Sequence, residues 1–309
     1  MMAFLRTTFL LAAMTALFMA VGYLVGGQNG AMMALVFAAV MNVGAWWMSD
    51  KMVLAHYRAQ EVNARTAPNY YAIVRELAAR AGLPMPKVYI IDSPQPNAFA
   101  TGRSPQHAAV CATTGLLQRL SHDEIMGVMA HELSHVKNRD MLTMTIAATL
   151  AGALGYLVQF AYFFGAARDR EGRSPLGPAG LLLIMLFGPM AAMLVQMAIS
   201  RTREFEADRM GAIISGKPRA LASALANISR TARLIPMERA DANPATAHLF
   251  IANPLSIGGI NSMFATHPPM EERIRRLLAM EGETAPPVNN QIEPQPRMTG
   301  TGGWHGPWG

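Results

Sequence analysis

The sequence predicts an α+β fold, mainly α-helical, in an integral membrane protein with about four transmembrane helices and a cytoplasmic domain that carries a small β-sheet. Three observations lead there. The chain is 51% hydrophobic and only 15% charged over 309 residues, whereas soluble domains carry about 25% charged residues. Its apolar residues fall into four runs, near 8–25, 31–48, 141–166 and 179–200, and about 20 apolar residues suffice to span a bilayer as a helix. Between and after these runs lie polar stretches with their own helix and strand signals.

The first two runs are separated by the glycine-rich stretch 26–30, which reads as the turn of a helical hairpin. A cleaved signal peptide is the alternative reading of the first run, since Arg6 precedes it. Trp46 and Trp47 close the second run where an interfacial aromatic belt would sit. The third and fourth runs have the length to span, with buried helices or re-entrant elements as the alternative. Lys51, Arg58, Arg65, Lys137, Arg139, Arg201, Arg203 and Arg209 flank the membrane ends of the polar regions. Cations concentrate on the cytoplasmic side, so both polar regions and both termini are expected in the cytoplasm. Arg168, Arg170 and Arg173, between the last two runs, are a counter-signal. The expected organisation is therefore a transmembrane hairpin over 1–49, a cytoplasmic region over 50–140, a second hairpin over 141–200, a second cytoplasmic region over 201–282, and a disordered tail over 283–309.

The net charge of +6 suits an anionic membrane surface. No finger spacing or aromatic-interleaved basic stretch argues for nucleic acid. The single cysteine, Cys111, rules out an intramolecular disulfide and a thiolate cage for a metal, and its apolar setting predicts a small buried side chain.

In the first polar region a helix is expected over 70–81, ended by Gly82 and Pro84, and strands over 87–91, 97–101 and 108–112. Ser121 followed by Glu124 is a capping box, which starts a helix that runs to about Asn138. In the second, helices are expected over 201–215, 219–234 and 269–280.

His131-Glu132-Leu133-Ser134-His135 lies on the capped helix. Histidines four residues apart share one face, one turn apart, and can converge on one metal ion. Glu132 beside them can take a proton from an attacking water. Chance produces this pattern roughly once in a hundred sequences of such composition. A catalytic zinc wants a third protein ligand and one open position. Glu204 and Asp208, four apart on a second helix, are the candidates: one could ligate while the other supports it. Glu206 points away from both. Spacing alone leaves a solvated charged face, paired with Arg201 and Arg209, as an equal reading.

His131-Glu132-x-x-His135 with Glu204-x-x-x-Asp208 resembles the glutamate-zincin arrangement. The run 200–208, Asn97-Ala98-Phe99-Ala100-Thr101-Gly102, and Thr266-His267-Pro268-Pro269-Met270-Glu271-Glu272-Arg273 are similar to the HtpX-type membrane zinc metalloproteases, as is the opening Tyr23-Leu24-Val25-Gly26-Gly27. The resemblance runs to about Leu278. It implies a zincin-like domain with one Zn2+ per chain held by His131, His135 and Glu204. It makes Glu132 the general base and Asp208 a supporting carboxylate. It places His267 and Arg273 near the active site, with His267 able to donate to the oxyanion and Arg273 able to pair with Asp208. Asn97, Ala98, Phe99 and Ala100 would align substrate by strand addition.

The biology implied is quality control of damaged or misfolded membrane proteins in the cell inner membrane, under heat or envelope stress. Membrane-protein or unfolded polypeptides would be the substrates, with cleavage of the enzyme's own chain. A CAAX-type prenyl protease shares the zinc motifs, although such proteins carry more spanning segments. A non-catalytic zinc sensor would not need Glu132.

Overall fold

The computed structural model describes residues 2–151, 201–232, 234–255 and 268–280. The expected fourth apolar segment, the loop holding Arg168, Arg170 and Arg173, His267 and the tail lie outside them, as does most of the third segment. Mainly helical structure surrounds a small mixed sheet.

The chain opens with α1 (Met2–His56). Its helical hydrogen bonding is nearly unbroken, yet it is not a straight rod. The Asn42 side-chain amide donates to Thr15 Oγ1 at 2.9 Å, and the Phe18 and Phe37 rings meet edge to face at 5.5 Å. In a straight helix Thr15 and Asn42 would stand about 40 Å apart. Gly27, at φ +59°, supplies the left-handed backbone at which the chain reverses, a conformation glycine adopts at little cost. The first two apolar runs therefore form a hairpin. Among the described residues one helical stretch, Gly27–Ala45, is long and apolar enough to cross a membrane. Leu11–Ala20 and Asp140–Ala151 are shorter apolar helices. The count of four spans is thus not reproduced among the described residues. Met33, Val36, Val40 and Val43 of α1 are exposed.

The sheet has the order β1-β2-β4-β3. Its strands are β1 (Gln60–Val62), β2 (Lys87–Ile91), β3 (Ala98–Gly102) and β4 (Ala108–Thr113). β2 and β4 pair in parallel, whereas β1 on β2 and β3 on β4 are antiparallel. Strand alternation divides the side chains between two layers. Val88, Ala98, Ala100, Val110 and Ala112 join one core with α2 (Pro68–Ala81) and α4 (His122–Asn138). Ile91, Phe99 and Cys111 join a second core with Val53 of α1, Tyr57 just past its end, Met144 and Phe250. Met144 belongs to α5 (Asp140–Ala151). The short helix α3 (Thr114–Arg119) leads from β4 towards α4.

The second polar region adds α6 (Arg201–Ser215), α7 (Pro218–Ala232), the short α8 (Glu238–Ala242) and α9 (Met270–Ala279). α6 and α7 pack on α4, with Leu221, Leu225 and Ile228 of α7 fully buried. Each such leucine or isoleucine contributes roughly 1.5–3 kcal/mol by leaving water. The outcome is a layered body in which α4 is central: sheet and α2 on one side, α6, α7 and α9 on the other.

Candidate metal centre and active site

The site is built on α4, whose start is fixed locally. Ser121 Oγ accepts from the Glu124 N–H at 3.3 Å, and the Glu124 carboxylate accepts from the Ser121 N–H at 2.8 Å. The other Glu124 oxygen accepts from Ser223 and Asn227 of α7, at 2.7 and 2.8 Å. The capping box therefore also fixes α7 on α4. Seventeen residues later the helix ends at Arg139, which takes a left-handed conformation at φ 60°.

His131, Glu132 and His135 are all buried. The Nε2 atoms of the two histidines lie 3.3 Å apart. α6 brings Glu204 to them: its carboxylate stands 3.6 Å from His135 Nε2 and 3.9 Å from His131 Nε2. One donor atom from each of the three residues lies within 4.8 Å of the others. Such close approach depends on Gly211. A Cβ there would come within 2.8 Å of His131 N and 2.9 Å of its Cα, so any side chain would force α6 away from the ligand turn.

Asp208 and Arg273 complete the His131 side. Asp208 Oδ1 lies 3.0 Å from His131 Nδ1. Arg273 donates to both Asp208 oxygens at 2.7 Å through Nε and Nη2, the two-pronged pairing for which a guanidinium is shaped. Its Nη1 donates to the Ile251 carbonyl at 2.9 Å and stands 3.7 Å from Glu204. Arg273 is fully buried. Glu206 is exposed, and Asp208 pairs with Arg273 of α9 rather than with its sequence neighbours Arg201 and Arg209.

The electrostatics follow from burial. Burial pushes the Glu132 carboxyl up to about 8, with nearby Glu204 adding to the rise, against the pull of His135 and the Ala100 backbone N–H. Burial likewise lowers His131, more than Asp208 raises it. At His135 burial works downward too, but Asp140 and Glu204 outweigh it and the group is raised. Burial would raise Asp208, yet the Arg273 guanidinium holds it below the usual carboxylate range.

These residues fit a dication. Glu204 and Asp208 are buried against one guanidinium, that of Arg273, which leaves negative charge that a dication would neutralise. Two imidazoles and a carboxylate are zinc's donor chemistry. Glu132 Oε1 is buried without a hydrogen-bond partner among the described residues, as suits a group whose partner is a water. A zinc ion held by His131, His135 and Glu204 would supply Lewis acidity, polarising a carbonyl and making water easier to deprotonate.

The remaining residues fall beside this centre. β3 forms one edge of the sheet, and Ala100 approaches Glu132. The Asn97 side chain is bound within the chain. Its amide donates to the Ala252 carbonyl at 2.9 Å, and its oxygen accepts from Ala252 N–H at 3.3 Å. The Ala98 carbonyl accepts from Ile251 N–H at 3.0 Å, so this end of the edge is already covered. Phe99 is buried against Tyr57 and Phe250. The position of the edge thus turns on Ala100, the next outward-facing residue of β3. His267 lies outside the described residues. Two contributors escape a reading of the sequence. Gly211 gives no local signal. Asp140, whose carboxylate lies 3.6 Å from His135 Nδ1, is signalled only by a carboxylate five residues beyond the motif.

Groups so arranged hydrolyse peptide bonds through water rather than through a covalent intermediate, which places the chain among the HExxH metallopeptidases. Comparison narrows the class: residues 64–281 match the family model of peptidase family M48, and the chain belongs to that family of zinc metallopeptidases. Among solved structures, the crystal structure of S. mikatae Ste24p is similar at 20% identity and a TM-score of 0.49, over 86% of this chain and 62% of that one. The present chain therefore spans less than two thirds of the length of that protein.

Proposed function

We propose that this M48 peptidase is a zinc-dependent endopeptidase anchored in the cell inner membrane, with its active site on the cytoplasmic side, and that it cleaves damaged or misfolded membrane proteins. The observation that carries the reading is the convergence of His131, His135 and Glu204 on one point beside the Glu132 carboxyl, whose Oε1 is buried without a partner among the described residues, and the edge strand β3.

The apolar outer surface of the α1 hairpin supports a bilayer as its surroundings. The hairpin is tied directly to the sheet layer. Val53 and Tyr57 pack in the same core as Phe99, and the Tyr57 hydroxyl hydrogen-bonds Thr246. Arg103, just after β3, stacks on the exposed Trp47 ring at 4.2 Å. Edge strand and membrane helix are therefore one unit. An extended segment laid along β3 near Ala100 would be gripped by its backbone, which asks little of its sequence. That suits a protease for unfolded chains. Glu132 then takes the proton of the attacking water and hands it to the departing amine.

Purified in detergent with zinc, the protein is expected to cleave casein and an unfolded membrane protein. Glu132→Gln is expected to lower kcat by about 10²–10⁴-fold, the range for losing a general base, with zinc content unchanged. Equal turnover by parent and variant would remove Glu132 from the reaction. A prenylated CAAX peptide is the contrasting substrate: preferential cleavage of it over casein would overturn the quality-control reading.

A further inference from the structure

His131 and His135 differ in how their second ring nitrogens are supported. His131 Nδ1 faces Asp208, which Arg273 grips from both sides. Like His131 Nδ1, which stands 3.0 Å from Asp208 Oδ1, His135 Nδ1 is buried and outside hydrogen-bond geometry with the described residues. The acidic group aimed at it is Asp140 Oδ2, at 3.6 Å. Asp140 is itself buried, and its other oxygen lies 3.7 Å from Arg203 Nη1. The arrangement has the same order as the first: imidazole, carboxylate, guanidinium. Its distances are longer.

We infer that Asp140 is a positioning residue that holds His135 with its Nε2 lone pair towards the metal, and that Arg203 holds Asp140. Metal-binding histidines almost always donate their other ring N–H to a carboxylate, a carbonyl or water, which fixes the tautomer and raises the basicity of the ligating nitrogen. Here, among the described residues, an N–H on Nδ1 has Asp140 as the carboxylate to meet. Closing 3.6 Å to a hydrogen bond of about 2.8 Å needs a shift of under an ångström, and a ligand drawn onto a metal can supply that. Geometry makes Asp140 available. Arg139 turns the chain through a left-handed residue, so Asp140 doubles back beside the last turn of α4 instead of continuing around it.

The origins of the two carboxylate–guanidinium pairs differ. Asp208 and Arg273 both come from the second polar region. Asp140 and Arg203 bracket the apolar stretch 141–200 in the sequence. The support of His135 therefore joins the residue that enters that stretch to a residue just past its exit.

The test uses the full chain in detergent, read by metal affinity and by spectrum. Zinc affinity is measured by chelator competition, and the ligand field by visible absorption after cobalt substitution. Asp140→Asn keeps size and removes charge, so it is expected to weaken zinc by about 10–100-fold, the usual effect of losing such a partner, and to alter the cobalt bands. Arg203→Ala should give a smaller loss, with Arg203→Lys restoring part of it. Asp140→Asn combined with Arg203→Ala should be no worse than Asp140→Asn alone. A thermal melt of the metal-free protein serves as the control for folding. Parent-like zinc affinity and cobalt bands in Asp140→Asn would overturn the proposal, as would additive losses in the double variant. The readouts involve no substrate, so they stand apart from whether misfolded membrane proteins are the ones cleaved.

Discussion

The metal centre has two halves that are made in different ways. His131 and His135 are placed by one helix: their spacing sets the face, and the Ser121–Glu124 capping box sets where the helix begins. Glu204, Asp208 and Arg273 lie on two other helices and meet the histidines only because α6 packs against α4 and α9 packs against α6 and α7. The first half is local and written in spacing. The second is tertiary and written in burial. The comparison teaches that ligand geometry here is most vulnerable at the contacts between helices, not within the helix that carries the motif.

The largest effect should come from breaking the tertiary half at its charge pair. Arg273 is the largest fully buried side chain among the described residues, and its removal leaves Asp208 buried without its counter-charge. Losing one partner of a buried, hydrogen-bonded pair costs about 3–5 kcal/mol. Arg273→Leu should therefore unfold at markedly lower denaturant, or fail to accumulate as folded protein. Asp208→Asn with Arg273→Leu should recover part of the loss, because neither charge is then stranded. If Arg273→Leu melts like the parent, the tertiary half does not depend on this pair.

A smaller change probes the same half without touching charge. Gly211→Ala adds one methyl group where a Cβ would stand 2.8 Å from His131 N. Overpacking of this kind typically costs 1–3 kcal/mol. Here the strain also lifts α6, and Glu204 with it, from the histidines. The expected result is a moderate loss of stability together with weaker zinc binding, from a residue that is not a ligand. Unchanged zinc affinity would show that α6 can slide while Glu204 stays in place.

The same division explains what could be read from the sequence. The HExxH helix with its capping box, the strand 87–91 and the end of the helix 201–215 are set by nearest neighbours, and these boundaries agree with the structure. β1 was not legible, because three residues are too few for alternation to show. Glu204 and Asp208 stood equal as ligand candidates by spacing, since both lie on one face of α6. Only packing puts Glu204 at the Nε2 atoms of both histidines and Asp208 at His131 Nδ1. Asn97 was expected beside substrate, and its side chain is found tied to Ala252, a bond that no local pattern announces. Asp140 was missed because its role depends on a left-handed turn at Arg139, a conformation unusual for a non-glycine residue. The hairpin turn of α1 was legible through its glycines, whereas the crossing of 141–200 lies outside the described residues.

The smallest expected effect tests whether the local half is as self-contained as claimed. Ser121→Ala removes the N-cap acceptor of α4, and such losses cost about 1 kcal/mol. The two histidines sit about three and four turns further on, so zinc affinity should stay at the parent level while the melting temperature falls. Acid gives a second reading of the same cap. The hydrogen bonds from Ser121, Ser223 and Asn227 outweigh burial and hold Glu124 below its ordinary value of 4.5. A lowered carboxylate contributes stability that is present above its unfolded value and is lost as pH falls through its folded one. The parent should therefore lose this increment below about pH 4.5, and Ser121→Ala should lose less of it, so the two stabilities converge in acid. A gap that widens in acid would show that the carboxylate is not what the cap stabilises. A drop in zinc affinity at neutral pH would show that strain at the start of α4 reaches the ligand turn, and that the local half is not local after all.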